Sequence, residues 1–195
     1  MKPKINSIAL FGTSADPPTL GHQALLRELT KIFPKVITWA SDNPDKNHQI
    51  PLIKRTQLLR ILVKNISHPK LELVQELSSP RTIHTLKKAF KLWPEANFSF
   101  VIGSDLVIEI PKWLNAKSIL TKTKIAIAIR DGWPISNKQI EEIKKIGGEV
   151  ELLPIKIPES SSSKFREKPQ EILVPPELVP TLLEENLYGL ADHRK

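Results

Sequence analysis

Two side chains in one helical turn, Thr19 and His22, and a cation far downstream, Arg166, are the most chemically suggestive groups in the chain. Thr19 and His22 are three apart, so on a helix they share a face and offer a hydroxyl and an imidazole to the same incoming anion. Just before them stands Gly12-Thr13-Ser14, and Gly21 lies between them. A strand ending near Gly12 and a helix beginning near Thr19 would turn unpaired backbone N–H groups, and the positive end of the helix dipole, toward that turn. Such a turn binds an anion, phosphate above all. Arg166 follows Ser161, Ser162 and Ser163 within the stretch Glu159 to Arg166. A Ser before a helix with an Arg one turn inside describes a second phosphate-binding helix start, although by composition alone the serines also describe a flexible linker.

Other groups lie where a ligand could meet them. Lys46 is the one cation in the polar, Pro-broken loop from Ser41 to His48. Thr82, after Ser78-Ser79-Pro80-Arg81, is expected to cap a following helix. The run Phe98 to Ile102 ends in Gly103-Ser104-Asp105, where an Asp past a central strand accepts hydrogen bonds from ribose hydroxyls and Gly103 lets a ligand come close. Trp113 follows, as a core cover or as a stacking surface for a flat heteroaromatic ring. Arg130 and Trp133 pair a cation with an aromatic at the next strand's exit.

The elements that must position these groups alternate. Strand patterns run over 5–11, 36–41, 71–74, 98–102, 124–129 and 149–155, and helical patterns over 19–33, 52–66, 82–93, 111–120 and 137–146. This order predicts an α/β fold, a Rossmann-like doubly wound parallel sheet covered on both faces. At 195 residues the chain is one domain's worth, here with a small C-terminal helical portion over 161–195. Ligands of such sheets bind outside the carboxyl ends of the strands, which is where every loop named above falls.

Composition narrows the chemistry. No cysteine is present, which excludes disulfides, thiolate catalysis and Cys-ligated zinc. Lys and Arg number 29 against 21 Asp and Glu, a formal charge of +8. The basic residues are scattered over several helices without interleaved aromatics, so solvated faces and attraction for small anions are expected, not nucleic-acid binding. No window is apolar over the roughly 18 residues a membrane span requires, and a cytoplasmic protein is the expectation. Whether copies form a homo-oligomer is left open.

The phrase Gly12-Thr13-Ser14-Ala15-Asp16-Pro17-Pro18-Thr19-Leu20-Gly21-His22 resembles the N-terminal signature of the nucleotidyltransferase superfamily, with Thr13, Ala15 and Thr19 as departures. Adding Glu76 to Leu86, Gly103-Ser104-Asp105, Trp113, Arg130 to Trp133, Ser161 to Arg166 and the ending Val174-Pro175 to Leu187-Tyr188, nearly the whole chain is similar to bacterial nicotinate-nucleotide adenylyltransferase. Asn43-Pro44-Asp45-Lys46 and Arg81 depart from that pattern. The resemblance implies transfer of AMP from ATP to nicotinate mononucleotide, forming nicotinate adenine dinucleotide and pyrophosphate in NAD biosynthesis, with Mg²⁺ accompanying ATP through phosphate oxygens and water. It implies His22, Thr19 and Arg166 as catalytic groups. Gly12, Thr13, Ser14, Gly21, Gly103, Asp105 and Ser161 to Ser163 would hold ATP, and the C-terminal portion would complete that site. Lys46, Thr82, Trp113, Arg130 and Trp133 would hold the mononucleotide, with one Trp on the pyridine ring. The attacking phosphate is already anionic, so in-line positioning and charge stabilisation suffice. Two other readings stand beside it: transfer to nicotinamide mononucleotide or phosphopantetheine, and a nucleotide- or RNA-binding protein without turnover.

Overall fold

The computed structural model of the chain describes residues 7–157 and 161–194. Residues 5 and 6 of the first expected strand, and Glu159 and Ser160 of the serine stretch, lie outside them. Strand β1 (Ser7–Thr13) contains Ile8-Ala9-Leu10-Phe11, all buried, as a strand covered on both faces must be. It is followed by α1 (Leu20–Ile32), β2 (Val36–Ala40), α2 (Leu52–Ile66), β3 (Leu71–Leu73), α3 (Thr82–Leu92) and β4 (Asn97–Gly103). A 3₁₀ segment (Ser104–Lys112), α4 (Ala116–Leu120), β5 (Lys124–Arg130), α5 (Asn137–Lys145) and β6 (Glu149–Ile157) complete the sheet-bearing part.

The six strands are all parallel in the order β3-β2-β1-β4-β5-β6. From β1 the chain winds outward through β2 and β3, then returns to β4 on the other side of β1. The loops leaving β1 and β4 therefore diverge and open a crevice at their carboxyl ends. One face of the sheet packs Ala9, Phe11 and Val101 against Leu25, Leu26 and Leu29 of α1 and Leu59 and Leu62 of α2. The other packs Ile8, Leu10 and Phe100 against Ile83 and Leu86 of α3, Ile119 of α4 and Ile143 of α5.

Pro154, which has no N–H to donate, is accommodated in β6 because that strand is at the sheet's edge, and the pairing with β5 slips between Ala128 and Ile129. The expected helix over 111–120 is not continuous. Its first residues end the 3₁₀ segment, Trp113 is extended, and Asn115 at φ 57° precedes α4. Pro111 disfavours α geometry for the residue before it, and Asn tolerates the left-handed turn that restarts the helix.

Beyond β6 come α6 (Ser162–Glu167) and α7 (Val179–Glu184) with short 3₁₀ turns between and after them. Phe165, Val174, Leu178, Leu182, Tyr188 and Leu190 bury themselves on Leu58 and Ile50, forming a third core. Thus Leu58 of α2 faces the C-terminal segment while Leu59 and Leu62 face the sheet. One helix is apolar on two sides because it lies between two layers.

Candidate active site

A cleft of about 970 Å³ opens at the carboxyl ends of β1 and β4, at the upper end of the size range of ligand pockets. On one wall β1 runs into the loop ahead of α1. A Cβ on Gly12 would lie 2.5 Å from the ring of Trp39, so this glycine makes room for a core indole on the neighbouring strand as well as lining the cleft. The Thr13 hydroxyl accepts the Ala15 N–H at 3.2 Å, and Ala15 stands at φ 48°.

Beneath the loop lies Arg55, 1% exposed. Its guanidinium donates to the carbonyls of Ser14 (2.7 Å), Ser41 (2.8 Å) and Ile50 (3.2 Å). A buried cation is tolerated only with such partners, and this one ties the loop after β1 to the loop after β2. Arg55 is one of the basic residues scattered over the helices for which solvated faces are expected, and nothing local to it in the sequence signals burial.

At the start of α1, Thr19 is fully buried. Its N–H donates to Nδ1 of His22 at 3.0 Å, and its hydroxyl lies 2.9 Å from the same nitrogen. Thr19 therefore does not face an incoming anion as its spacing suggested; it holds His22. A backbone N–H can only donate, so Nδ1 accepts and the ring proton sits on Nε2. Burial, followed by the positive charges of Arg130 and Lys46, lowers the imidazole from 6.5 to about 4. At neutral pH His22 is thus an uncharged Nε2–H donor within the cleft.

On the opposite wall Arg130, at the end of β5, pairs with Asp105 at 2.9 Å, both partly buried. A Cβ on Gly103 would come within 2.4 Å of the Asp105 carboxylate. The close approach that this glycine permits is therefore that of its own neighbour's side chain. The Ser104 hydroxyl accepts the Arg130 N–H at 2.9 Å and donates to the Trp133 carbonyl at 2.7 Å, locking the two strand exits together. Trp113, half-buried, stands edge-on to Phe100 at 5.7 Å and lines the cleft. Trp133 does not: beyond the turn through Gly132, at φ 82°, it is 54% exposed and outside the lining.

Lys46 lies on the loop after β2 and lines the cleft, where burial lowers its ammonium from the ordinary value, the Asp105 carboxylate opposes that, and the charges of Arg166 and Arg130 add to it. At the rim, Arg81 forms an ion pair with Asp45, joining the loops that precede α2 and α3. The N-cap of α3 is Arg81 and Thr82 is already the first helical residue, so the expected capping by Thr82 does not occur. Thr82 lines the cleft nonetheless.

The serines are not a linker. Ser161 caps α6, accepting the Lys164 N–H at 3.1 Å, while Ser162 donates to the Pro17 carbonyl at 2.8 Å. Arg166 donates to the Asp16 carbonyl at 2.7 Å and lies 3.3 Å from the Ser163 hydroxyl. With Ser161 to Ser163, it forms the cleft's third wall. Asp16 is 1% exposed. Its place in the opening phrase was legible, its role as an anchor was not.

The sequence pattern of the Cytidylyltransferase-like family matches residues 10–168. A protein of Synechocystis sp. named "Probable nicotinate-nucleotide adenylyltransferase" is 32% identical over 93% of this chain and 98% of its own. The chain belongs to the nicotinate-nucleotide adenylyltransferases, within the cytidylyltransferase-like family. This nucleotidyltransferase is also 25% identical to the protein of that name from Bacillus licheniformis, over 94% of this chain and 99% of the other. Its fold matches Plasmodium falciparum nicotinic acid mononucleotide adenylyltransferase complexed with NaAD at TM-score 0.79. There the identity is 23%, over 95% of this chain and 98% of that one. Among the described residues no helix of the adenylyltransferase is long and apolar enough to cross a membrane.

Proposed function

We propose that this enzyme transfers AMP from ATP to nicotinate mononucleotide, giving nicotinate adenine dinucleotide and pyrophosphate. The observation that carries the reading is His22, held by Thr19 as a neutral Nε2–H donor in a cleft that also gathers Lys46, Arg130 and Arg166. A phosphate oxygen of the mononucleotide attacks the α-phosphorus, and the bond to pyrophosphate breaks. No proton need be removed from the nucleophile, so no general base or covalent intermediate is required. What the protein supplies is alignment and donors for charge on the α-phosphoryl and leaving groups.

In this reading the turn Gly12-Thr13-Ser14, the start of α1 with Gly21, and His22 meet the ATP phosphates from one side. Ser161, Ser162, Ser163 and Arg166 meet them from the other, so that the C-terminal helical portion over 161–195 completes the ATP site within a single domain. Gly103 and Asp105 serve the adenosine side, Lys46 the entering phosphate, and Trp113 the pyridine ring, with Thr82 or Arg130 near its carboxylate. Among the described residues no group of three or more His, Asp or Glu side chains is placed to hold a metal ion. In this reading Mg²⁺ enters with ATP and would be held chiefly by the nucleotide's phosphate oxygens and water. A cytoplasmic location is part of the same reading.

Pyrophosphate release from ATP with nicotinate mononucleotide, nicotinamide mononucleotide or phosphopantetheine tests it. The first acceptor is expected to give the highest kcat/KM. Release with phosphopantetheine alone would overturn the substrate, and release with none would overturn the activity.

Trp113→Ala checks the pyridine side. Stacking on an aromatic face contributes on the order of 1 kcal/mol beyond burial, so the mononucleotide KM should rise several-fold while the ATP KM stays within about twofold. Lost thermal stability with unchanged KM values would assign Trp113 to its packing on Phe100 alone.

A further inference from the structure

The C-terminal segment carries a buried polar group that the chemistry above does not use. Tyr188 is 7% exposed and meets Phe165 edge-on at 5.6 Å. Its backbone stands at φ 60°, a conformation that a non-glycine residue holds only where its surroundings over-determine it. Its hydroxyl donates to Oδ1 of Asp16 at 2.8 Å, across 172 residues of chain. Burial and the Asp16 charge push the phenol up, so it remains a donor throughout the neutral range.

Asp16 is where the walls of the cleft meet. Its Oδ2 accepts the Gln49 N–H at 2.8 Å and lies 3.8 Å from Nη1 of Arg166, while its carbonyl accepts from the same Nη1 at 2.7 Å. The negative charge of Asp16 also faces Arg55, which braces Ser14 and Ser41. One carboxylate thus joins the turn after β1, the loop that carries Lys46, the Arg166 guanidinium and the C-terminal segment. Its two oxygens take different partners. Gln49 and Arg166 share Oδ2, and Tyr188 holds Oδ1. Without the phenol, Oδ1 is a charged acceptor in a buried site with no hydrogen-bond donor among the described residues, and the carboxylate must turn toward Arg166 or Arg55 to recover one.

We propose that Tyr188 is a positioning residue for adenylyl transfer: through its hydroxyl it fixes the rotation of the Asp16 carboxylate and thereby the reach of Arg166 into the cleft. The proposal rests on the adenylyl-transfer reading. It also gives the C-terminal segment a part in turnover beyond covering α2. Side-chain placement of this kind matters because displacement by an ångström is enough to slow an aligned reaction strongly.

Tyr188→Phe isolates the hydroxyl, because the ring and its contact with Phe165 stay. Expected are a kcat about tenfold lower and a raised ATP KM, with the mononucleotide KM within about twofold, since the Gln49 backbone bond remains. The decisive readout is the cycle with Arg166→Ala. If Tyr188 acts through Arg166, Tyr188→Phe should slow the Arg166→Ala enzyme by less than about twofold. A wild-type kcat in Tyr188→Phe, or a full tenfold effect on top of Arg166→Ala, would overturn the proposal. Should Tyr188→Phe not fold, Asp16→Asn goes into the same cycle, where a coupled loss supports the proposal and an additive loss overturns it. A wild-type enzyme without pyrophosphate release on any acceptor would instead overturn the function, and is read before any variant.

Discussion

His22→Ala is expected to lower turnover at least about 100-fold with the fold intact, the scale of losing one preorganised donor to developing charge. The imidazole is partly buried against Phe11 and its Nδ1 is occupied by Thr19, so Nε2 is the nitrogen left to act. Circular dichroism and single-turnover formation of the dinucleotide check the two halves of the statement; unchanged turnover in a folded variant would remove His22 from the chemistry. Thr19→Ala should have a smaller effect, because the backbone N–H that sets the tautomer survives. The pH dependence follows from the same contacts. With the folded-state value near 4 against 6.5 for an ordinary His, the unfolded chain binds more protons between those limits. The contribution is fully present above pH 6.5 and is lost as pH falls toward 4. His22→Ala should therefore reduce the acid sensitivity of stability in that window and leave stability above pH 7 without this dependence.

Arg166→Ala is expected to lower turnover on the order of 100-fold and to raise the ATP KM more than the mononucleotide KM. The guanidinium is anchored by the Asp16 carbonyl and stands beside Ser163. Its remaining N–H groups are available to an anion at the cleft's third wall. Because Arg166 belongs to a six-residue helix capped by Ser161, its position depends on that cap and on the Ser162 bond to Pro17. Replacing Ser161 to Ser163 by glycine together with Arg166→Ala should thus be no less damaging than Arg166→Ala alone. Full activity in that variant would remove Ser161 to Ser163 and Arg166 from the chemistry.

The sequence by itself determined the alternation of strands and helices, the parallel sheet, and the turn between β1 and α1. Each depends on a period of apolar residues or on turn residues that are adjacent along the chain. For the same reason Thr19 and His22 could be paired by spacing, and Arg166 could be noticed behind its serines. Where a boundary depends on competition between neighbours, sequence reasoning was less reliable: the helix expected over 111–120 is broken at Trp113, and Thr82 begins a helix that it was expected to cap. Only the tertiary structure decided which way these groups face. It turned Thr19 onto His22, set Trp39 against Gly12, placed Arg55 beneath the Ser14 carbonyl, and left Trp133 outside the cleft. It also brought Tyr188 to Asp16 across 172 residues. Periodicity carries the local preferences of a segment, whereas the partner of a buried carboxylate or guanidinium is chosen by whichever distant donor or acceptor the packed layers bring within hydrogen-bond reach.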